Sequence, residues 1–231
     1  MIKLFTVILC LICQTNTVKT PDNGDTAFTK GQKYFYQKKF EMAETMFLEA
    51  LKTDPENEMT YSYLGDLALT KKRYDEALEY YLKSLELIPE SAENNFRIAQ
   101  TYYYKENGEK AIEHFLKTYT LNNSMKFALY HVGLAYLMLN RDKENTVKYW
   151  EEYVSLAGDD PQRDNIERVI ELLKNPDFVI PPAESGISVE DALKRGIHKD
   201  EKQDILDERK QDILDDRKQD KYEGLYDNRE L

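Results

Sequence analysis

From residue 24 onward, apolar and polar positions recur with helical spacing, and the pattern then repeats itself along the chain. Gly31, Gly65, Ala99 and Gly133 stand 34 residues apart. A second small residue follows the first three by 12, at Ala43, Ala77 and Ala111, and a large aromatic comes four later, at Phe47, Tyr81 and Phe115. Pro55 and Pro89 close the first two units. A fixed period of this length predicts a repeat array, each unit a helix–turn–helix that cannot bury its own apolar face and so stacks on its neighbours. Small residues let the two helices of a unit approach, large ones fill the seam, and proline stops the second helix because it has no N–H to donate.

Four units are predicted, over residues 24–57, 58–91, 92–125 and 126–159. The first helix of unit one is off-pattern, with Ala27 and Lys30 at positions that want large apolar side chains; terminal repeats face water on one side. Ser91 and Ser124 sit just ahead of helices and suit N-caps, where a hydroxyl accepts a bond from an orphan backbone N–H. Unit four poses a conflict. Strict register would bury Asn145 and Glu152, and an unpaired buried carboxylate costs several kcal/mol. A turn one residue longer instead turns Thr146, Trp150 and Tyr153 inward and leaves Glu151 and Glu152 in water, and this register is the expected one.

Asp160-Pro161 opens a further amphipathic helix with Ile166, Val169, Ile170 and Leu173 on one face, ended by Asn175-Pro176. Residues 176–231 are predicted to be an extended, charged, partly disordered tail, in which Phe178, Val179 and Ile180 tuck against that helix. The tail carries its own repeat: Lys202 to Arg209 recurs as Lys210 to Arg217. A period of eight drifts by about 80° per copy on an α-helix, so it builds neither an apolar stripe nor a heptad seam. The Ile205-Leu206 and Ile213-Leu214 pairs are candidate docking motifs for a partner or for the chain's own groove.

The N-terminus bounds location. Residues 1–17 hold one Lys and then an apolar run from Leu4 to Cys13, the pattern of a secretory signal peptide, with 18–23 as a linker. Both cysteines of the sequence, Cys10 and Cys13, lie in this run, so the mature protein would have no thiol chemistry. Acylation of one of them, as in a lipoprotein, is the alternative, against which stand the bulky Leu9 and Ile12. The expectation is export to the periplasm or cell envelope. The 43 acidic and 32 basic residues, net charge −11, disfavour nucleic acid and anionic membrane surfaces as partners. His114, His131 and His198 share no metal-ligand spacing, and no phosphate loop or nucleophile elbow is present. No enzymatic activity, cofactor or metal is expected.

The small–small–aromatic–proline pattern over roughly residues 24 to 175 resembles that of the tetratricopeptide repeat family. The resemblance implies an all-α solenoid of four repeats closed by a capping helix at 160–175. It also implies a concave surface lined by the first helix of each repeat. In repeat one that lining is Phe28, Gln32, Phe35 and Tyr36, and in repeat two Ser62, Tyr63, Asp66 and Leu69. Phe96, Arg97, Gln100, Tyr103 and Tyr104 follow in repeat three, then Tyr130, His131, Leu134 and Met138 in repeat four. Aromatic side chains with polar tips bury much area at small entropic cost, so this set suits a protein-binding groove. The family subgroup that grips acidic chaperone termini uses a basic clamp. Here Phe28, Gln32, Tyr63, Glu93 and Arg97 stand at those positions, and only Arg97 has the right chemistry. The expected role is therefore that of a monomeric scaffold holding an extended or helical peptide of another protein. The alternative is a lipid-anchored structural part of a membrane complex.

Overall fold

The computed structural model describes residues 26–158 and 160–195. The expected signal peptide with Cys10 and Cys13, the linker and the octad repeat lie outside them. Among the described residues there are ten α-helices and no strand, so the fold is all-α. The chain divides into two compact units, residues 1–60 and 61–231.

In the first unit, α1 (Ala27–Tyr36) and α2 (Phe40–Thr53) form an antiparallel pair. Thr26 caps α1 by accepting from the Thr29 amide. A Cβ built on Gly31 would lie 2.7 Å from the Phe47 ring, so only glycine lets this buried aromatic seat against α1. Phe28 adds a second ring 6.0 Å away. Helix α3 (Glu58–Thr70) begins at the end of this unit and runs into the second.

In the second unit α3 pairs with α4 (Tyr74–Leu87), α5 (Ala92–Tyr104) with α6 (Gly108–Leu121), and α7 (Phe127–Ala135) with α8 (Lys143–Leu156). Successive pairs stack through α4 on α5 and α6 on α7, and α9 (Arg163–Lys174) packs on α8. The same small-against-large seating recurs. A Cβ on Gly65 would come within 2.3 Å of Tyr81, and one on Gly133 within 2.3 Å of Trp150. Ser91 caps α5, accepting from Asn94 at 3.1 Å. Ser124 caps nothing: α7 opens only after Lys126, with no side-chain cap, because Asn122 to Met125 form a turn of their own first.

Each hairpin turn holds one residue in the left-handed region: Lys38, Lys72 and Glu106 at φ near 58°, 57° and 58°. The fourth such residue, Arg141 (φ 55°), comes one position later than the period would place it. The extra residue is absorbed in a single π-turn, Tyr136–Asn140, at the end of α7. Thr146, Trp150 and Tyr153 accordingly face inward, at 0%, 1% and 6% exposure, and Glu151 and Glu152 are exposed. Trp150 then donates its indole N–H to the Tyr130 carbonyl at 2.9 Å.

Where the sequence predicts an extended segment from residue 176, the described part folds further. Phe178 and Ile180 are buried, a 3-10 turn forms at Ala183–Ser185, and a short helix α10 spans Val189–Arg195. Ser188 caps that helix, accepting from the Asp191 amide and donating to its carboxylate. Val189 and Ala192 have a buried surface to meet, and this overrides the charged character of the stretch.

Candidate functional site

Helices α3, α5 and α7 carry the expected lining residues of the second unit, and the side chains divide into three groups. The first is a polar seam between α3 and α5. Asp66, 6% exposed, accepts from the Tyr81 hydroxyl at 2.7 Å and from Arg97 Nε at 3.0 Å. Beside it Ser62, Ser84 and Asn94 join in a closed triangle of hydrogen bonds of 2.7 to 2.9 Å. Burial, then the neighbouring Asp66 charge, pushes the Tyr81 phenol up. For Arg97 burial works against the charge, yet Asp66 and Tyr81 more than restore it and the guanidinium is held above its ordinary range. Asp66 and Arg97 therefore neutralise one another. Arg97, the residue whose chemistry suited an acidic ligand, is committed to an internal partner.

The second group is an aromatic nest around His131. Its ring stacks on Phe115 (5.1 Å between centroids) and meets Phe96 and Tyr130 edge-on at 5.2 and 5.4 Å. Burial alone lowers its pKa to about 4, so the imidazole is neutral at neutral pH. His131 is thus an interior side chain, as is Leu134.

The third group remains half-exposed: Tyr63, Gln100 and Tyr104, the last stacked on Tyr74 at 6.0 Å, while Leu69 packs against the apolar cluster of Ala77, Tyr81 and Ile98. Tyr103, Tyr130 and Met138 are also half-buried, but they pack against an apolar cluster reaching from α7 to α10. In the first unit Phe35 meets Tyr36 and Phe40 edge-to-face or tilted, Tyr36 is 56% exposed, and Phe28 and Gln32 are half-buried.

Residues 28–92 match the model of the tetratricopeptide repeat family. That match spans two of the helical pairs, and the fold is of the tetratricopeptide type. No curated protein sequence matches this chain significantly. Among solved structures, two of MamA are similar, at 18% and 20% identity with TM-scores of 0.58 and 0.56. They cover 77% and 80% of this chain and 92% and 96% of theirs. YrrB, described as a TPR protein with an unusual peptide-binding site, is 18% identical with a TM-score of 0.56, over 62% of this chain and 73% of its own. At these identities the likeness is one of fold.

Within the tetratricopeptide frame, then, the first helices supply both seam and surface. The sequence marks which positions belong to these helices, but it does not mark which of their polar residues pair internally. A depression of about 430 Å³ elsewhere, among Tyr61, Glu79, Tyr80, Leu82, Lys83 and Glu86, touches none of the expected lining residues. Among the described residues no group of three or more His, Cys, Asp or Glu is placed to hold a metal ion, and no helix is long and apolar enough to cross a membrane. Sequence reading missed Arg141 and Lys143. Both donate to main-chain carbonyls of the segment after α9, and only their position in the fourth turn sets them apart from other surface cations.

Proposed function

We propose that this protein is a non-enzymatic interaction scaffold whose tetratricopeptide repeats hold an extended or helical peptide of another protein. The observation that carries the reading is the half-exposed set Tyr63, Gln100 and Tyr104 on α3 and α5. Two of them are phenol rings with an exposed edge, and amphipathic rings of this kind anchor protein interfaces. The peptide-binding site in the description of YrrB supports it by analogy of fold. The acidic balance favours a protein partner over nucleic acid. We place the scaffold, as a monomer, in the cell envelope on the strength of the signal-like residues 1–17. A lipid anchor through Cys10 or Cys13 is the second reading, favoured by the polar stretch that follows them.

A photo-crosslinking residue placed at Tyr63 or Gln100 in the cell should yield an adduct with one common protein. The same residue at Glu113, exposed on α6, should not. Adducts equally abundant from Glu113, or none from the first two sites, overturn the groove reading. Mass spectrometry of the mature N-terminus separates the locations: a start near residue 18 means cleavage, an acylated Cys10 or Cys13 means anchoring, and a retained Met1 refutes both.

A further inference from the structure

Beyond α9, two cations of the fourth repeat hold the backbone of the segment that follows. Lys143 Nζ donates to the carbonyls of Asn175 (3.0 Å) and Phe178 (2.6 Å) and lies 5.5 Å above the Phe178 ring. Arg141 Nη1 donates to the Pro181 carbonyl at 2.6 Å. Gly186, at φ 65°, then turns the chain into α10. There Val189 and Ala192, one helical turn apart, are 3% and 0% exposed. They share one apolar cluster with Leu134 and Leu137 of the α7 region, and Tyr103, Tyr130 and Met138 pack against it. The Glu190 carboxylate is close enough to add to the rise of the Tyr103 phenol, which burial dominates. Four of the residues expected to receive a partner's peptide (Tyr103, Tyr130, Leu134 and Met138) thus lie in or against the cluster that Val189 and Ala192 complete.

Two features distinguish this segment from a fixed part of the core. A seven-residue helix has too few hydrogen bonds to persist alone, so α10 exists only while it is docked. Main-chain carbonyls are also groups that any extended peptide carries, so the hydrogen bonds from Arg141 and Lys143 impose little sequence preference, while the ring beneath Lys143 favours an aromatic at the position of Phe178.

We propose that residues 178–195 are a built-in stand-in for the partner. The surface of α5 and α7 takes, in trans, an extended stretch with free carbonyls followed by a short helix. That helix bears small aliphatic side chains at i and i+3 and acidic residues in its first turn, as in Val189-Glu190-Asp191-Ala192. Such a partner and the chain's own strap compete for one seat. The inference rests on the peptide-scaffold reading and specifies the ligand of its α5–α7 end.

A fluorescent synthetic peptide of residues 175–195, titrated into the full chain, tests this. A short tether holds its segment at an effective concentration of roughly 1 mM, so for a free peptide with a Kd of about 10 μM the strap suppresses binding about 100-fold. The Val189→Asp, Ala192→Asp variant should therefore bind the peptide about 100-fold more tightly than wild type. Equal binding by the two proteins, or none by a variant of native helicity and melting temperature, overturns the proposal. A second measurement needs no variant. Hydrogen exchange of the wild-type α10 amides should speed up when isotope-labelled peptide is added in excess, with α9 unchanged; no change overturns the proposal even if the variant fails to fold. Either negative leaves the crosslinks from Tyr63 and Gln100 unaffected, since neither residue belongs to the α10 cluster.

Discussion

Gly65→Ala is the substitution in which helix propensity and packing oppose each other most directly. In an exposed helix it would stabilise by about 1 kcal/mol. Here the new methyl would sit 2.3, 2.5 and 2.8 Å from Cε1, Cδ1 and Cζ of Tyr81. Ordinary contact requires the ring to move about 1 Å. The ring has nowhere to go: Tyr81 is 0% exposed and its hydroxyl is tied at 2.7 Å to Asp66, itself held by Arg97. Overpacking of this kind costs about 1–3 kcal/mol, and weakening a bond to a buried carboxylate about 1–3 kcal/mol more. Set against the propensity gain, the net loss is about 1–5 kcal/mol. For a domain of this size that lowers the melting temperature by roughly 2–20 °C. Thermal melts of the full chain by circular dichroism at 222 nm measure it. Gly158→Ala is the control, because nothing lies within 4 Å of the added Cβ, and its change should stay within about 0.5 kcal/mol. A Gly65→Ala protein as stable as wild type would show that the seam is loosely packed and that the period of small residues does not reflect steric need. If the account is right, Tyr81→Leu in the same chain should recover part of the loss, since the two sites are coupled.

Two further outcomes follow from the second unit. His131 titrates near 4 when folded against about 6.5 when unfolded, so the unfolded chain binds the extra proton between those values. Stability should therefore fall as pH drops from about 6.5 to about 4, by roughly 3 kcal/mol for this group, and level off below. His131→Phe should flatten that limb of the urea-midpoint profile, and an unchanged profile would remove His131 as its source. Deleting the exposed Asn140 should abolish the π-turn, bring Arg141 into the period of Lys38, Lys72 and Glu106, and keep Trp150 against Gly133. Tryptophan emission should stay that of a buried indole, and a red shift to that of a solvated one would refute the register argument.

Much of the architecture was legible because it depends on side-chain size at fixed spacing. Gly31, Gly65 and Gly133 mark where an aromatic must seat, and no other residue leaves room. Even the slipped fourth repeat could be read from Glu152 and Trp150, since a carboxylate and an indole differ by several kcal/mol in what burial costs them. The way the extra residue is accommodated could not, because a longer loop and a π-turn both satisfy the same hydrophobic pattern.

The lining was only half legible, for a related reason. Helical periodicity assigns a residue to a face but says nothing of what crosses that face. Asp66 and Arg97 sit 31 positions apart, and only the stacking of α3 on α5 makes them a pair that neutralises its own charge. His131 reads as a surface residue until Phe96, Phe115 and Tyr130 close around it. Residues 178–195 carry charges and prolines, and by composition alone they belong to a solvated tail. Their fold comes from one apolar cluster in which Val189 and Ala192 join Leu134 and Leu137 of the α7 region and residues of α8 and α9, with Tyr103 packed against it. Local sequence thus determined helices α1 to α9, their pairing and their period. Tertiary structure decided which polar groups are satisfied internally and which part of the repeat surface is already occupied, because both depend on contacts between residues far apart in the chain.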